Sequence, residues 1–393
     1  MAMIPFEDAF QTTIGSKRLL GSERVSIEDA PGRILAEDVV SDMDMPPFDK
    51  SAMDGYACRR EDLSEELSIV ETIPAGACPE KTLGPKECSK IMTGAMAPDG
   101  ANCVIMVEYS ENPTPKMVRF TGEKTKDNIC RKGEDIKKGD VVLSKGAWLR
   151  SQHVAVLAMV GCANPLVSCQ PSVGIIATGD ELVEPHVAPG LSQIRNSNSY
   201  QLCAQVTAAG AAPTYYGIAG DSADVLRATV EKAMAENDVV LLSGGVSMGD
   251  FDLVPGILRE CGFDLKFEQV AVKPGKPTVF GVSDTSFCFG LPGNPVSTFA
   301  IFEILVKPFL YSMMGHDYKP AEIHMPLENT ITSTKIERES WVPVCLTETG
   351  RVVQIEYHGS AHVNALCLAD GLVKIPRGVS ELKKGTLVYV RQI

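Results

Sequence analysis

The 393-residue chain has twelve cysteines, yet no two stand at C-x-x-C spacing, and its six histidines form no ligand cluster beside them. A zinc site or a disulfide framework is therefore disfavoured, and reduced thiols in a cytoplasmic protein are expected. Positive charge is scarce: 37 Lys and Arg stand against 50 Asp and Glu, a formal net charge of -13. Nucleic-acid binders neutralise phosphates with Lys and Arg, so no nucleic-acid partner is expected. The same deficit means that an anionic substrate must be held by locally placed cations and backbone dipoles. No membrane span is expected either, because the longest apolar helix candidate, Thr298 to Met314, is interrupted by Glu303, Lys307 and Pro308. The opening MAMIPFEDAF is acidic and lacks the basic region and apolar core of a signal peptide. No G-x-x-x-x-G-K-[ST] loop occurs and no G-x-G-x-x-G follows a strand, which disfavours ATP hydrolysis and dinucleotide oxidoreduction.

What is present suits a multidomain globular chain. Hydrophobic residues make up 44% and the mean hydropathy is +0.03. The length exceeds what one core usually supports, so roughly two to four domains are expected. Residues 1–20 have helical spacing of Phe6, Phe10 and Ile14, ended by Gly21. A dense polar segment, Met45 to Ala57, combines stiffening prolines with an Asp54-Gly55 turn pair, which points to a specific loop. From 66 to 145 short alternating strands with frequent Gly and Pro predict an inserted β domain. Ser151 is expected to cap a helix stopped by Gly161. Residues 172–315 alternate strand and helix, which predicts an open parallel sheet with helices on it. Residues 319–393 return to short strands, a C-terminal β domain.

The chain is organised around Val239 to Asp252. An apolar run suited to a strand buried on both faces leads into Ser243-Gly244-Gly245-Val246-Ser247. Paired glycines let the backbone turn tightly and bring N–H groups close to an anion. Leu291 to Ser297 is a second such turn feeding a helix. Lys273 and Lys276, flanked by prolines, add two cations. The four polar turns 179–181, 243–252, 273–277 and 291–297 all follow strands and should share one sheet edge, where ligands bind in such folds. Asp180, Glu181, Asp250 and Asp252 beside an anion cradle suggest a divalent metal, although Asp250 or Asp252 could instead be a helix N-cap. The residues alone therefore predict a sheet-edge site for a phosphorylated or oxyanionic ligand.

Seven segments in order along nearly the whole chain resemble the MoeA family of molybdopterin molybdenumtransferases, to which the gephyrin E domain also belongs. They are Pro47 to Ala57, Ile91 to Ala95, Arg131 to Ile136, Ala177 to Leu182, Ser243 to Ser247, Lys273 to Pro277 and Gly290 to Ser297. The resemblance implies four domains: an α/β domain at 1–20 and 168–318, a linking domain at 21–44 and 141–167, an inserted β domain at 45–140, and a C-terminal β domain at 319–393. It implies insertion of molybdate into adenylylated molybdopterin with loss of AMP, assisted by Mg2+, in a homodimer with shared active sites. Contact with the upstream adenylyltransferase is a further implied partner. Carried over residue by residue, Asp54, Thr93, Asp135, Glu181, Asp221 and Asp252 fall on catalytic positions, with Glu181 and Asp252 as metal contacts. Ser243, Gly244, Gly245, Ser247, Lys273, Pro274, Lys276, Pro292, Gly293, Asn294, Ser297 and Ser360 fall on pterin-phosphate or molybdate contacts.

Two departures stand out. Where the family pattern has I-x-D-S-N, this chain has Ile194-Arg195-Asn196-Ser197-Asn198, an amide in place of a carboxylate. Pro343 aligns with an arginine used near the oxyanion, so Arg338 or another cation must substitute. These departures keep open a catalytically impaired gephyrin-like scaffold, and a tungstate-inserting paralogue stays open because molybdate and tungstate have nearly the same size and charge.

Overall fold

The computed structural model describes residues 2–220, 222–246, 253–356 and 358–393. Asp221, Ser247, Asp250 and Asp252 lie outside the described residues. The central sheet runs Ala212–Ala219, Ser172–Thr178, Val239–Ser243, Phe287–Leu291, Val279–Val282, Asp264–Phe267. Its first four strands are parallel. Val279–Val282 is antiparallel to both of its neighbours, so the sheet is mixed and not wholly parallel. A wholly parallel sheet needs a helical crossover between successive strands. Only four residues separate Val282 from Phe287, enough for a hairpin but not for a crossover.

Alternation along the central strands divides the core. Val239 and Leu241 pack with Leu202, Val206 and the helical span Pro295–Met313. Val240 and Leu242 pack with Leu226, Val230, Ile257 and Leu258 on the other face. All five residues of Val239–Ser243 are buried, as a strand covered by helices on both faces requires. In the cluster that holds Val239 and Leu241, the rings of Phe267, Phe280, Phe287 and Phe289 pack against one another and against Phe309 of that helical span. Each buried phenylalanine contributes about 1.5–3 kcal/mol.

The helical span Pro295–Met313 is long and apolar enough to cross a membrane by composition, but 89% of its most apolar window is buried inside the protein. It is a core helix. Asn294 precedes it and Pro295 sits at its first position, where a missing N–H costs nothing. Phe302–Val306 forms a π turn just before Pro308. Pro308 cannot donate to residue 304 and its ring crowds that carbonyl, which favours the wider turn.

The inserted domain is a six-stranded sheet ordered Cys103–Met106, Gly55–Cys58, Glu87–Ile91, Glu66–Ile73, Met117–Phe120, Ser110–Thr114. A smaller core of Leu35, Val39, Leu149, Leu157 and Val167 joins residues 22–40 to 141–168. The C-terminal sheet is built on Glu339–Leu346, Gly371–Ile375, Leu387–Gln392 and Glu322–Pro326. Two local expectations shift. The first helix is Phe6–Gly15, opened after Pro5, not the full 1–20. Arg150, not Ser151, is the N-cap of Ser151–Met159.

Candidate functional site

Ala177, Ser243 and Leu291 are register partners across three adjacent parallel strands. The chain therefore leaves the sheet at one level three times, and the turns after these strands sit side by side. Gly244 makes this possible: its φ is 101° and a Cβ there would lie 2.6 Å from the Thr178 carbonyl oxygen. Its N–H donates to the Leu291 carbonyl at 3.1 Å, tying two turns together.

The fourth turn reaches the same edge by a different route. Val272–Lys273 is a two-residue strand paired with Glu339–Ser340 of the C-terminal sheet, so 273–277 does not follow a strand of the α/β sheet as expected. It lies in the long connection between Asp264–Phe267 and Val279–Val282. The Thr278 hydroxyl donates to the Gly275 carbonyl at 2.6 Å and holds the turn closed. This segment lends one strand to the C-terminal domain and thereby fastens that domain beside the sheet edge.

Two cavities result. One, of about 550 Å³, is lined by Lys273, Pro274, Lys276, Pro292, Asn294 and Ser297 from one side. Arg338, Ser340, Trp341, Gln354 and Ser360 close it from the C-terminal domain. The second, of about 540 Å³, is lined by Glu181, Asn196, Asn198, Ser243, Gly244, Gly245 and Gly293. Asn294 and Pro277 belong to both walls. Asn294 is pinned there: its amide donates to the Ser360 hydroxyl at 2.9 Å, and its carbonyl accepts from Ser297 and Thr298.

Charge is divided between the chambers. The first gathers Lys273, Lys276 and Arg338, and among the described residues neither lysine forms an ion pair. Arg338 is largely covered, its side chain 17% exposed, with Glu337 3.7 Å away. Pro343 lies in the strand Glu339–Leu346, paired with Leu372, and is not among the residues lining either cavity. Arg338, unlike Pro343, lines the first cavity. The second chamber carries Glu181 and Arg195.

The substituted amide at 196 is buried and fully used. Its Nδ2 donates to the Tyr215 hydroxyl at 2.7 Å and to Ser199 Oγ at 3.1 Å. Its Oδ1 accepts the Ser199 N–H at 3.2 Å. Tyr215 in turn donates to Glu184 at 2.8 Å. Burial first, then Glu184, pushes the Tyr215 phenol well above its ordinary value. A carboxylate at 196 could not donate to that oxygen, so the amide completes this network.

Asp54 and Thr93 meet in the inserted domain. Gly55 and Ile91 are register partners, which brings the residues flanking them together. The Thr93 backbone N–H and hydroxyl both donate to Asp54 Oδ1, at 2.7 and 3.0 Å. These two bonds hold the Asp54 carboxyl below its ordinary value, the backbone donor most. Asp135 is exposed in the turn after Arg131 and its N–H donates to the Met45 carbonyl. None of the three lines either cavity. No group of three or more metal-ligating side chains is found among the described residues. Sequence reasoning missed the C-terminal wall formed by Thr332, Ser333, Ser340, Trp341 and Gln354, which carries no motif. Asn198 could have been found, since it ends the I-x-D-S-N-like segment.

Fold and cleft together define a multidomain α/β protein with a cavity lined by three cations against a glycine-turn cavity. Residues 174–312 match the family described as "Probable molybdopterin binding domain". Residues 4–161 match "MoeA N-terminal region (domain I and II)", and 326–393 match "MoeA C-terminal region (domain IV)". A Bacillus subtilis protein named molybdopterin molybdenumtransferase is 39% identical over 324 residues, covering 79% of this chain and 75% of that protein. A Staphylococcus aureus protein of the same name is 35% identical over 398 residues, covering 98% and 95%. The crystal structure of a Pyrococcus horikoshii molybdopterin biosynthesis MoeA protein superposes with a TM-score of 0.87 at 32% identity, covering all of both chains. The chain belongs to the MoeA family of molybdopterin molybdenumtransferases.

Proposed function

We propose that the chain inserts molybdate into adenylylated molybdopterin, releasing AMP, in the last step of molybdenum cofactor biosynthesis, and does so as a cytoplasmic homodimer. The observation that carries this reading is the pair of cavities meeting at Asn294 and Pro277. A cationic chamber beside a neutral glycine-turn chamber suits a ligand with an anionic end and a heterocyclic end. Lys273, Lys276 and Arg338 offset a dianion in a protein whose net charge would repel it. Backbone N–H groups of the glycine turns suit phosphate oxygens. Glu181 stands at the wall with no ion pair among the described residues, and Mg2+ is commonly held by one or two carboxylates plus substrate phosphates. Glu181, with Asp252, would hold it, and the ion would neutralise charge on the departing phosphate. The exposure of Asp54, Thr93 and Asp135 away from both cavities supports a site completed by a second subunit. A handover contact with the upstream adenylyltransferase belongs to the same reading.

The test supplies adenylylated molybdopterin, Mg2+ and either molybdate or tungstate, and follows AMP release. Oxyanion-dependent AMP, faster with molybdate, is expected. AMP release indifferent to both oxyanions would overturn the reading, and faster release with tungstate would reassign the metal. Mixed dimers of Asp54→Ala and Glu181→Ala subunits should recover activity that neither homodimer has; no recovery argues against a shared site.

A further inference from the structure

The π turn Phe302–Val306 opens one carbonyl of the helical span Pro295–Met313. The Lys307 N–H donates to Phe302, five residues back, and so is not spent on Glu303. The residue that would serve Glu303 at the same spacing is Pro308, which has no N–H. The Glu303 carbonyl is filled instead from the C-terminal domain: Arg391 Nη2, on the strand Leu387–Gln392, donates to it in a buried contact. The Glu303 carboxylate is already engaged within the α/β domain. Its Oε1 accepts from Gln205 Nε2 at 2.9 Å, and its Oε2 pairs with Lys307 Nζ at 2.9 Å. The Arg391 guanidinium lies 5.9 Å from the ring centres of both Tyr318 and Trp341. Trp341 lines the cation-lined cavity, whereas Arg391 lines neither cavity. A buried cation that forms no ion pair among the described residues adds little stability over an apolar side chain of the same volume. What it adds is direction, a contact that fixes how two domains meet.

We infer that Arg391 is a positioning residue: by clasping the carbonyl that the π turn frees, it holds Trp341, and with it the C-terminal wall of the cation-lined cavity, in place. Trp341 follows Ser340, which is the register partner of Lys273. A displaced Trp341 therefore moves the strand to which that lysine is paired, and the spacing of Lys273 and Arg338 across the cavity changes with it. The clasp stands on geometry alone. Its consequence, a change in oxyanion affinity, rests on the substrate reading proposed above and extends it to a residue that touches no substrate.

The test uses Trp341 as its own reporter. The chain has two tryptophans, so Trp148→Phe leaves Trp341, which is 9% exposed, as the sole emitter. In that background Arg391→Met keeps the apolar stem and removes the guanidinium. Trp341 emission should shift to the red and its quenching by acrylamide should rise. In the same variant the molybdate KM for AMP release should rise about tenfold at unchanged kcat, within the range for residues that act on a ligand without touching it. Arg391→Lys keeps the charge and a donor but not the flat face, so both changes should be smaller. It also carries the test should Arg391→Met not fold. A merely structural role would lower the active fraction, and so kcat, at an unchanged KM. Unmoved Trp341 emission, or a KM equal to that of the parent, overturns the inference. Shifted emission together with AMP release that ignores molybdate in the parent overturns the substrate reading and leaves the clasp standing.

Discussion

The α/β domain brings its polar turns together in adjoining cavities, whereas the inserted β domain brings Asp54 and Thr93 together on an exposed surface. Strand direction explains much of the contrast. In the central sheet, parallel strands at matched register deliver Ala177, Ser243 and Leu291 to one level, so turns far apart in the chain become neighbours. In the inserted domain Gly55–Cys58 is antiparallel to both flanking strands, so starts and ends alternate across those three strands. Asp54 meets Thr93 because one strand begins where its neighbour ends. Asp135 comes from a separate turn and stays apart. A parallel edge assembles many turns at once; an antiparallel edge pairs them two at a time.

The largest expected effect tests the cavity side of this contrast. Lys276→Ala with Arg338→Ala should raise the molybdate KM about 1,000-fold, since each charge-assisted contact contributes about 1.5–3 kcal/mol. Steady-state AMP release against molybdate concentration measures it, and a change confined to kcat would detach these cations from the oxyanion. Next, Gly55→Ala should destabilise the chain by about 3 kcal/mol, because a Cβ there would overlap the Ile105 backbone carbonyl. Urea unfolding reads this, and an unchanged midpoint would mean that the pairing of Asp54 with Thr93 does not depend on that close strand contact.

A smaller effect concerns acidity. Thr93→Val removes one of the two donors to Asp54, so the Asp54 carboxyl should titrate at higher pH than in the parent. A depressed carboxylate holds its advantage above its ordinary value and loses it as pH falls through the folded value. The acid limb of the pH–rate profile should therefore move upward in the variant. Glu339 gives the opposite sign. Burial first, against Lys374 and Trp341, raises its carboxyl above the ordinary range. Its contribution is complete at low pH and is lost as pH rises through the folded value. Glu339→Gln should remove that decline, seen as thermal midpoints that part from the parent with rising pH.

Much of this was legible in the chain itself. The run Val239 to Leu242 announced a strand covered on both faces, and Gly244-Gly245 announced the turn that the Thr178 carbonyl demands. The partition into α/β and β portions followed from the change in hydrophobic period near residue 172. What stayed hidden involved strand partners. Val272–Lys273 carries nothing local to say that it joins the C-terminal sheet, because pairing depends on what lies opposite. Pro343 looked like the loss of a cation at the site, yet it lines neither cavity, and Arg338, five residues earlier, lines the first.

Sequence by itself determined the local vocabulary: which runs are strands, which turns need glycine, which helix begins at Asn294-Pro295, and which family's motifs these are. These follow from backbone sterics and side-chain period, which act within a few residues. Only the tertiary structure decided that four turns and one C-terminal strand enclose two chambers of different charge. It also decided that Asn198 Nδ2 ties the Ser243 side chain to the Gly293 carbonyl. Both depend on register between strands far apart in the chain, and hydrogen-bond accounting closes only when all of those strands are in place.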